Sequence, residues 1–439
     1  MNPTPPATLP VTLTATAFRI DTDIDLPELA GPDGMVITRN GSGLGGTGCA
    51  ATIEVPAGQR HRAAALVHEV LSAIERVGPP NAPAPVAFGA LPVDPAAAAR
   101  LLVPALQLHR HADGTRWAVV IAPAVASPPS PPSSPSPPWS PSSPFTGTPT
   151  MPAAALLPAP RPALPPPGRI EIATRHDPSW WMDQVAAASA RIRAGELRKV
   201  VLARELILTA DRELDPRPIL RRLISAYPAC YVSFIDGFVC ASPELLVSRH
   251  GDVVRAHPMA GTAPRLADPA ADARQAAALL SNASYRREHQ LTIDMVHETL
   301  LGWCSFLDAE PEPSVVAMAN VSHLATMVEG RLSRPEPSVL ELVTALHPTP
   351  AVGGVPGPAA LAMQRELEDI DRLRYAGPVG WVDADGNGDW AVGVRAAELI
   401  GATAHVYAGN GIVADSDPAT ELAETQAKFA AMLGALVRL

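Results

Sequence analysis

The order of apolar and polar residues predicts short strands alternating with helices in residues 169–439. Residues 199–208 form an apolar run typical of a strand, and residues 269–305 are mainly helical in pattern. Asp236-Gly237 between apolar flanks predicts a hairpin turn, and residues 378–408 predict two further hairpin pairs. Hairpins interspersed with helices favour an α+β fold with antiparallel sheets over a doubly wound parallel fold.

A segment rich in Pro and Ser, residues 123–168, divides the chain, and its single charged residue is Arg161. Proline cannot donate a backbone hydrogen bond, and such a segment cannot bury a core. We therefore expect a low-complexity linker or a loop insertion, with weak docking of a partner at its P-x-x-P matches as the alternative. Before it, residues 60–77 predict a helix and residues 117–122 a strand.

Composition excludes several classes of protein. The 439 residues allow two or three domains or one large two-lobed domain, and 47% hydrophobic content excludes global disorder. A net charge of −10 has the wrong sign for binding nucleic acid or an anionic membrane. The chain offers neither a long apolar window for a membrane span nor a signal-peptide pattern, so a cytoplasmic protein is expected. Four scattered cysteines argue against a zinc site and a disulfide framework.

Two glycine-containing motifs resemble ligand sites but lack the context that those sites need. Gly41 to Gly46 satisfies G-x-G-x-x-G, yet the β-branched run that follows supplies no helix N-terminus for a pyrophosphate. Asp383 to Gly388 resembles the start of a calcium loop, but Val394 stands where a bidentate carboxylate is needed. Both motifs predict hairpin turns.

The last predicted helix, opened by Asp417-Pro418, carries the most informative spacing. Glu421, Glu424 and Lys428 are three and four residues apart, so they lie along one stripe. Two carboxylates one turn apart can bind a hard cation such as Mg²⁺ together with waters and substrate oxygens. A solvated Glu–Lys ladder on an amphipathic helix is the alternative.

Three further residues are candidates for acid–base or metal chemistry. Glu288 shares a helical stripe with Thr292, Met295 and Thr299 that points towards the packed side, so it needs either a salt-bridge partner or a metal. Lys199 begins an apolar strand and is either a desolvated base or a lysine that extends to the surface. Glu244 follows Ser242-Pro243, which predicts the start of a short helix whose dipole would oppose a role as general acid.

Seven motifs resemble, in their residues and in their order along the chain, those of chorismate-utilising enzymes, and among these enzymes those of isochorismate synthases. They cover about residues 170–439 densely, and seven ordered motifs are far more specific than any one of them. The motifs are Lys199-Val-Val-Leu-Ala-Arg204, Ser242-Pro-Glu-Leu-Leu246, Pro258-Met-Ala-Gly-Thr262, Glu288-His289, His347-Pro-Thr-Pro-Ala351, Ala408-Gly-Asn-Gly-Ile-Val413 and Glu421-Leu-Ala-Glu-Thr425.

The resemblance implies a two-lobed α+β fold of large antiparallel sheets flanked by helices. Residues 1–122 would form its N-terminal part and residues 169–439 its chorismate-binding core. The implied reaction is the Mg²⁺-dependent conversion of chorismate to isochorismate by a protein that is often a monomer. The resemblance also assigns roles: Lys199 as general base, Glu244 as general acid, Glu288, Glu421 and Glu424 as Mg²⁺ ligands, and Gly261, Thr262, Ala351, Arg395, Gly409 and Lys428 as substrate-binding positions.

Two local expectations accompany these roles. Arg395 is expected late in a strand from Trp390 to Ala396, where its guanidinium can bind a carboxylate through two parallel hydrogen bonds. Gly409-Asn410-Gly411 is expected to form a turn whose amides approach an anion, although many relatives carry Ala in the middle position.

Three alternatives stay open at this point. Salicylate synthases share the lysine, the acid and the Mg²⁺ site and then eliminate pyruvate from isochorismate, a step that need not require another residue. Anthranilate synthases add ammonia, and they typically lack a lysine at the position of Lys199. An inactive homologue that binds chorismate is the alternative that is not an enzyme.

Overall fold

The computed structural model describes residues 12–124, 161–265, 268–319 and 321–437. These residues contain 25 β-strands and eight α-helices. Apart from the parallel pair between the strands at Leu13–Arg19 and Glu75–Val77, every described strand pair is antiparallel. The predicted α+β class with large antiparallel sheets is therefore confirmed.

The N-terminal part is built mainly from strands. The predicted strand at residues 117–122 is present, but the predicted helix at residues 60–77 is shorter, since residues 75–77 pair with the first strand. Its elements are β1 (Leu13–Arg19), β2 (Gly34–Arg39), β3 (Ser42–Thr47), β4 (Ala51–Val55), α1 (Ala63–Ser72), β5 (Glu75–Val77), β6 (Val86–Ala90), β7 (Ala99–Val103), β8 (Leu106–Arg110) and β9 (Arg116–Pro123).

The remaining described residues contain seven helices and sixteen strands. The helices are α2 (Pro178–Arg193), α3 (Pro216–Ala226), α4 (Pro269–Ser281), α5 (Ala283–Leu301), α6 (Val339–Leu346), α7 (Gly357–Leu367) and α8 (Pro418–Leu436). The strands are β10 (Ile170–Thr174), β11 (Lys199–Ala210), β12 (Tyr231–Ile235), β13 (Phe238–Ser242), β14 (Leu245–His250), β15 (Val253–His257), β16 (Met259–Pro264), β17 (Cys304–Ala309), β18 (Ser314–Ala317), β19 (Val321–Ala325), β20 (Val328–Leu332), β21 (Gly354–Val355), β22 (Pro378–Asp383), β23 (Gly388–Val392), β24 (Ala396–Ile400) and β25 (Thr403–Ile412).

Two large sheets combine strands from both parts of the chain. The 13-stranded sheet runs β10-β11-β25-β24-β13-β12-β2-β3-β8-β9-β1-β5, with β21 paired to β11. The 9-stranded sheet runs β17-β20-β15-β14-β23-β22-β6-β7-β4, and β16-β19-β18 form a small third sheet. The predicted boundaries at residues 122 and 169 stay predictions, because residues 125–160 of the Pro/Ser-rich segment lie outside the described residues. The same holds for the predicted docking of a partner at the P-x-x-P matches in that range.

Two apolar clusters lie on opposite sides of the 13-stranded sheet. One joins it to the 9-stranded sheet through large buried side chains such as Phe88 and Trp390. The other packs helices α3 and α8 against its second face, with Leu220 and Phe429 fully buried. Burial of these apolar side chains is what fixes α8 beside β25, and so places the polar stripe of α8 near the end of that strand.

The motif from Asp383 to Gly388 is a hairpin turn, as predicted, whereas in the motif from Gly41 to Gly46 only Gly41 lies in the turn and the other five residues belong to β3. Asn40 and Gly41 have φ of 49° and 80° between β2 and β3, where the left-handed conformation closes a tight turn. The tip between β22 and β23 is held by Asp383, which accepts hydrogen bonds from the backbone N–H groups of Asp385 and Asn387.

Candidate active site

All eleven residues predicted from the sequence to form the site line one cavity of about 170 Å³. They come from distant segments: strands β11, β16 and β25, helices α5 and α8, and three connections between elements. They are Lys199, Glu244, Gly261, Thr262, Glu288, Ala351, Arg395, Gly409, Glu421, Glu424 and Lys428.

The pairing of β11 with β25 forms one wall of the cavity. Val201 is opposite Gly411 and Ala203 is opposite Gly409, and both glycines line the cavity. The predicted turn at residues 409–411 is therefore wrong: the three residues lie within β25 because they continue its ladder with β11. A Cβ on Gly411 would lie 2.6 Å from Lys199 Cε, so a side chain there would displace the lysine.

An ion pair crosses the cavity from this wall to helix α5. Lys199 is 1% exposed, and its Nζ lies 2.8 Å from Glu288 Oε1. The interpretation of Lys199 as a lysine that extends to the surface is therefore wrong. Glu288 has the partner that its half-buried position requires.

Helix α8 supplies two acidic groups and one basic group from one stripe. Asp417 caps the helix by accepting a hydrogen bond from the Thr420 N–H, and Pro418 occupies its first turn, as the sequence predicts. Glu424 and Lys428 are 3.5 Å apart and largely buried, so the stripe is not a solvated ladder. Burial, reinforced by repulsion from Glu424, raises the pKa of Glu421 to about 7. Burial, reinforced by repulsion from Glu288, also raises the pKa of Glu424.

Glu244 lies in the short connection between β13 and β14, and the predicted helix after Ser242 is wrong. Sheet pairing overrides the local Ser-Pro signal, because the Glu244 carbonyl accepts the Val392 N–H and β14 begins at the next residue. Without a helix, no dipole stabilises the carboxylate. Burial raises the pKa of Glu244 to about 7, despite a hydrogen bond from the Met259 backbone and the nearby charges of Lys199 and Arg395.

Arg395 lies between β23 and β24 and not within a strand, so its predicted placement is also wrong. Its φ of 49° is rare for a residue with a side chain and turns the backbone between the two strands. The guanidinium is buried, and Nε and Nη1 have no hydrogen-bond partner among the described residues. A buried cation with two free donors fits an anionic ligand.

His323 is a site residue that the sequence analysis missed. Arg395 Nη2 lies 2.6 Å from His323 Nε2, and an arginine can only donate, so Nε2 accepts. The proton is then on Nδ1, which lies 3.3 Å from the Gly261 carbonyl oxygen. Burial and the charges of Arg395 and Lys428 hold the pKa of His323 well below its usual range, in keeping with this neutral form. Its place inside an ordinary strand, β19, gave no sequence signal.

Backbone positions complete the cavity. Gly261 has φ of 76° at an irregularity in the β16–β19 pairing, and it lies beside Tyr285. Ala351 lies in the loop between α6 and β21, which Gln364 fixes by donating to the carbonyls of Val352 and Gly353. Tyr285 and Tyr375 also line the cavity, and no motif pointed to them.

The donor chemistry fits a magnesium ion. Glu288, Glu421 and Glu424 all face the cavity, and their mutual repulsion is one cause of the raised pKa values of Glu421 and Glu424. Carboxylate oxygens, with waters and substrate oxygens, are what Mg²⁺ prefers. The carboxylates are not preassembled: in the described parts of the chain, no three His, Cys, Asp or Glu side chains are grouped closely enough to hold a metal.

No helix in the described ranges is both long enough and apolar enough to span a membrane.

Comparison with known proteins identifies close relatives. A family model for chorismate binding enzymes matches residues 153–437. A Mycobacterium tuberculosis protein with the provisional name isochorismate synthase MenF is 48% identical over 255 residues, which are 55% of this chain and 68% of that protein. Isochorismate synthase DhbC of Bacillus subtilis is 40% identical over 271 residues, 59% of this chain and 68% of that protein.

A solved structure extends the likeness to nearly the whole chain. The crystal structure of DhbC from Bacillus anthracis, provisionally named a 2,3-dihydroxybenzoate-specific isochorismate synthase, superposes with a TM-score of 0.75 at 31% identity. The alignment covers 94% of this chain and 98% of that one. The N-terminal part is thus included in the shared fold.

Proposed function

Because the chain belongs to the family of chorismate binding enzymes, we propose that it is an isochorismate synthase. The reaction adds water at C2 of chorismate and expels the C4 hydroxyl, so one water enters and one leaves. The single observation that carries the proposal is the buried Arg395, which has two unpartnered donor nitrogens and lines a cavity that also contains two amines and four carboxylic acid groups.

Arg395 and Lys428 would bind carboxylates of the substrate. Chorismate is a dianion and the protein has a net charge of −10, so local cations must provide the attraction. The guanidinium can form two parallel hydrogen bonds with one carboxylate, which fixes its orientation as well as its position. His323 accepts only one of the two N–H groups of Nη2, so the other one, together with Nε or Nη1, remains available for this carboxylate.

Glu288, Glu421 and Glu424 would hold Mg²⁺, which when bound supplies positive charge to the ring carboxylate of chorismate. Glu288 is paired with Lys199 and Glu424 with Lys428 in this structure. Metal binding would therefore require Glu288 and Glu424 to exchange their lysine partners for Mg²⁺. The exchange also frees both lysines for the substrate.

Lys199 and Glu244 would divide proton removal from proton donation. Lys199 would activate the attacking water and take up its proton. Glu244 would protonate the departing hydroxyl, and its pKa of about 7 leaves it protonated in part of the population near neutral pH. Gly261, Thr262, Ala351 and Gly409 would shape the pocket around the ring.

The test is a product analysis of purified protein with chorismate and with either Mg²⁺ or a chelator. We expect isochorismate with Mg²⁺ and none with the chelator. Salicylate with pyruvate would favour a salicylate synthase that uses the same site. Unchanged chorismate that nevertheless binds tightly in the presence of Mg²⁺ would favour a non-catalytic binding protein.

A further inference from the structure

Asn410 lies near the end of β25, with its side chain between that strand and helix α8. It is 1% exposed, and its neighbours Gly409 and Gly411 face the cavity on the other side of the strand. Strand alternation therefore directs Asn410 away from the substrate and towards the helix that carries Glu421 and Lys428.

One amide contacts both of these charged groups. Asn410 Nδ2 donates to Glu421 Oε2 at 2.8 Å and to the Glu421 backbone carbonyl at 2.8 Å. Asn410 Oδ1 accepts from Lys428 Nζ at 2.5 Å. A lysine can only donate and a carboxylate can only accept, so these contacts fix which way the amide faces.

These contacts compete with a direct ion pair between Lys428 and Glu424 on helix α8. Lys428 Nζ also lies 3.0 Å from the Gly409 carbonyl and 3.5 Å from Glu424 Oε2. Without the Asn410 oxygen, attraction to Glu424 would draw the ammonium along α8 into a closer ion pair. Glu421 would lose the hydrogen bond from Asn410 at the same time and keep the one from Ser416.

We propose that Asn410 is a positioning residue: it holds Lys428 for the substrate carboxylate and Glu421 for Mg²⁺ without touching either ligand. The inference rests on the proposed function, since it takes the roles of Glu421 and Lys428 from it. Hydrogen-bond partners behind metal ligands typically change metal affinity or activity about 10–100-fold when they are removed.

The test compares Asn410→Ala with Asn410→Leu, which keeps nearly the same volume without polar atoms. Titration of the protein with Mg²⁺ alone measures the metal Kd, and steady-state kinetics give KM for chorismate and kcat. We expect both variants to weaken Mg²⁺ binding about tenfold or more and to raise KM for chorismate, with a smaller change in kcat.

Gln107→Leu is the matched control. Gln107 is another fully buried amide, which accepts from the Val86 N–H and donates to the Val86 carbonyl between β8 and β6. We expect this variant to lose thermal stability while keeping the wild-type Mg²⁺ Kd and KM.

Three results would overturn the proposal. The first is a wild-type Mg²⁺ Kd and KM in both Asn410 variants, and the second is wild-type values in Asn410→Leu but not in Asn410→Ala. The third is a loss of Mg²⁺ affinity and a rise in KM in Gln107→Leu as large as in the Asn410 variants. The second would assign Asn410 a packing role, and the third would make the effect one of general stability. Failure of the proposed function is distinguishable, because wild-type protein would then leave chorismate unchanged whatever the variants do to Mg²⁺ binding.

Discussion

The acidic end and the arginine end of the cavity differ in how their charges are satisfied. At the acidic end, defined by Glu288, Glu421 and Glu424, each carboxylate has a partner: Lys199, Asn410 or Lys428. At the arginine end, Arg395 is buried with two guanidinium nitrogens unpartnered and a neutral histidine on the third.

The difference indicates how the site handles two ligands of opposite charge. Unpartnered buried donors cost free energy until an anion fills them, so the arginine end is preorganised for a carboxylate. At the acidic end, lysines pair with two of the three carboxylates, Glu288 and Glu424, so a metal must displace them. The ends are therefore expected to respond differently to substitution.

Removal of Lys199 should have the largest effect, because it takes away the proposed base. Lys199→Ala is expected to lower kcat by about 10²–10⁴-fold. Mg²⁺ binding should persist or tighten, since Glu288 loses its competing cation. Steady-state kinetics and Mg²⁺ titration of the same preparation check both parts. A kcat close to that of the wild type would contradict the role of base.

Arg395→Lys tests the arginine end, because it keeps the charge and removes the planar pair of donors. We expect kcat/KM for chorismate to fall about 10–100-fold, mainly through KM, with little change in Mg²⁺ affinity. Arg100→Lys, at an exposed ion pair with Asp236, is the matched control and should leave the kinetics unchanged. If Arg395→Lys lowered the affinity for Mg²⁺ as much as it lowered kcat/KM for chorismate, the two ends of the cavity would not act separately.

The spacing of residues predicted much of the acidic end, whereas at the arginine end the family resemblance named Arg395 but not its placement or its contact with His323. The helical period alone places Glu421, Glu424 and Lys428 on one stripe. Arg395, however, depends on a positive φ between two strands, and its contact with His323 depends on how β19 lies beside that connection. Such contacts follow from tertiary structure and have no local pattern.

Two incorrect local predictions have the same cause. Ser242-Pro243 is typical of a helix start, and Gly409-Asn410-Gly411 is typical of a turn. In the structure, Ser242 pairs with β12 and residues 409–411 pair with β11, so neither a helix nor a turn forms. The motifs still named residues that line one cavity, because their order along the chain is more informative than their local conformation.

Glu244 lies under the influence of both ends, since Lys199 and Arg395 both act on its charge. If it is the acid, it must be protonated, so kcat/KM should fall about tenfold per pH unit above pH 7. A pH profile at saturating Mg²⁺ measures this limb. In Glu244→Gln, kcat/KM should be low and should no longer fall above pH 7. If the fall above pH 7 persists in this variant, it belongs to another group.

The raised pKa of Glu244 also predicts a smaller effect on stability. The folded state binds the proton more tightly than the unfolded state, so this group reduces the free energy of unfolding as pH rises from about 4.5 to about 7. Relative to wild type, Glu244→Gln should gain about 1 kcal/mol per pH unit across that window. Urea unfolding at several pH values without metal measures the gain, and a constant difference would contradict the buried acid.

Turnover in ¹⁸O-labelled water tests the central claim most directly, since the proposed reaction takes its new hydroxyl from solvent. With Mg²⁺ and chorismate, the wild-type protein should release isochorismate carrying one ¹⁸O at C2, detected by mass spectrometry, and Lys199→Ala should release almost none. Isochorismate without the label, or chorismate returned unchanged, would contradict the account.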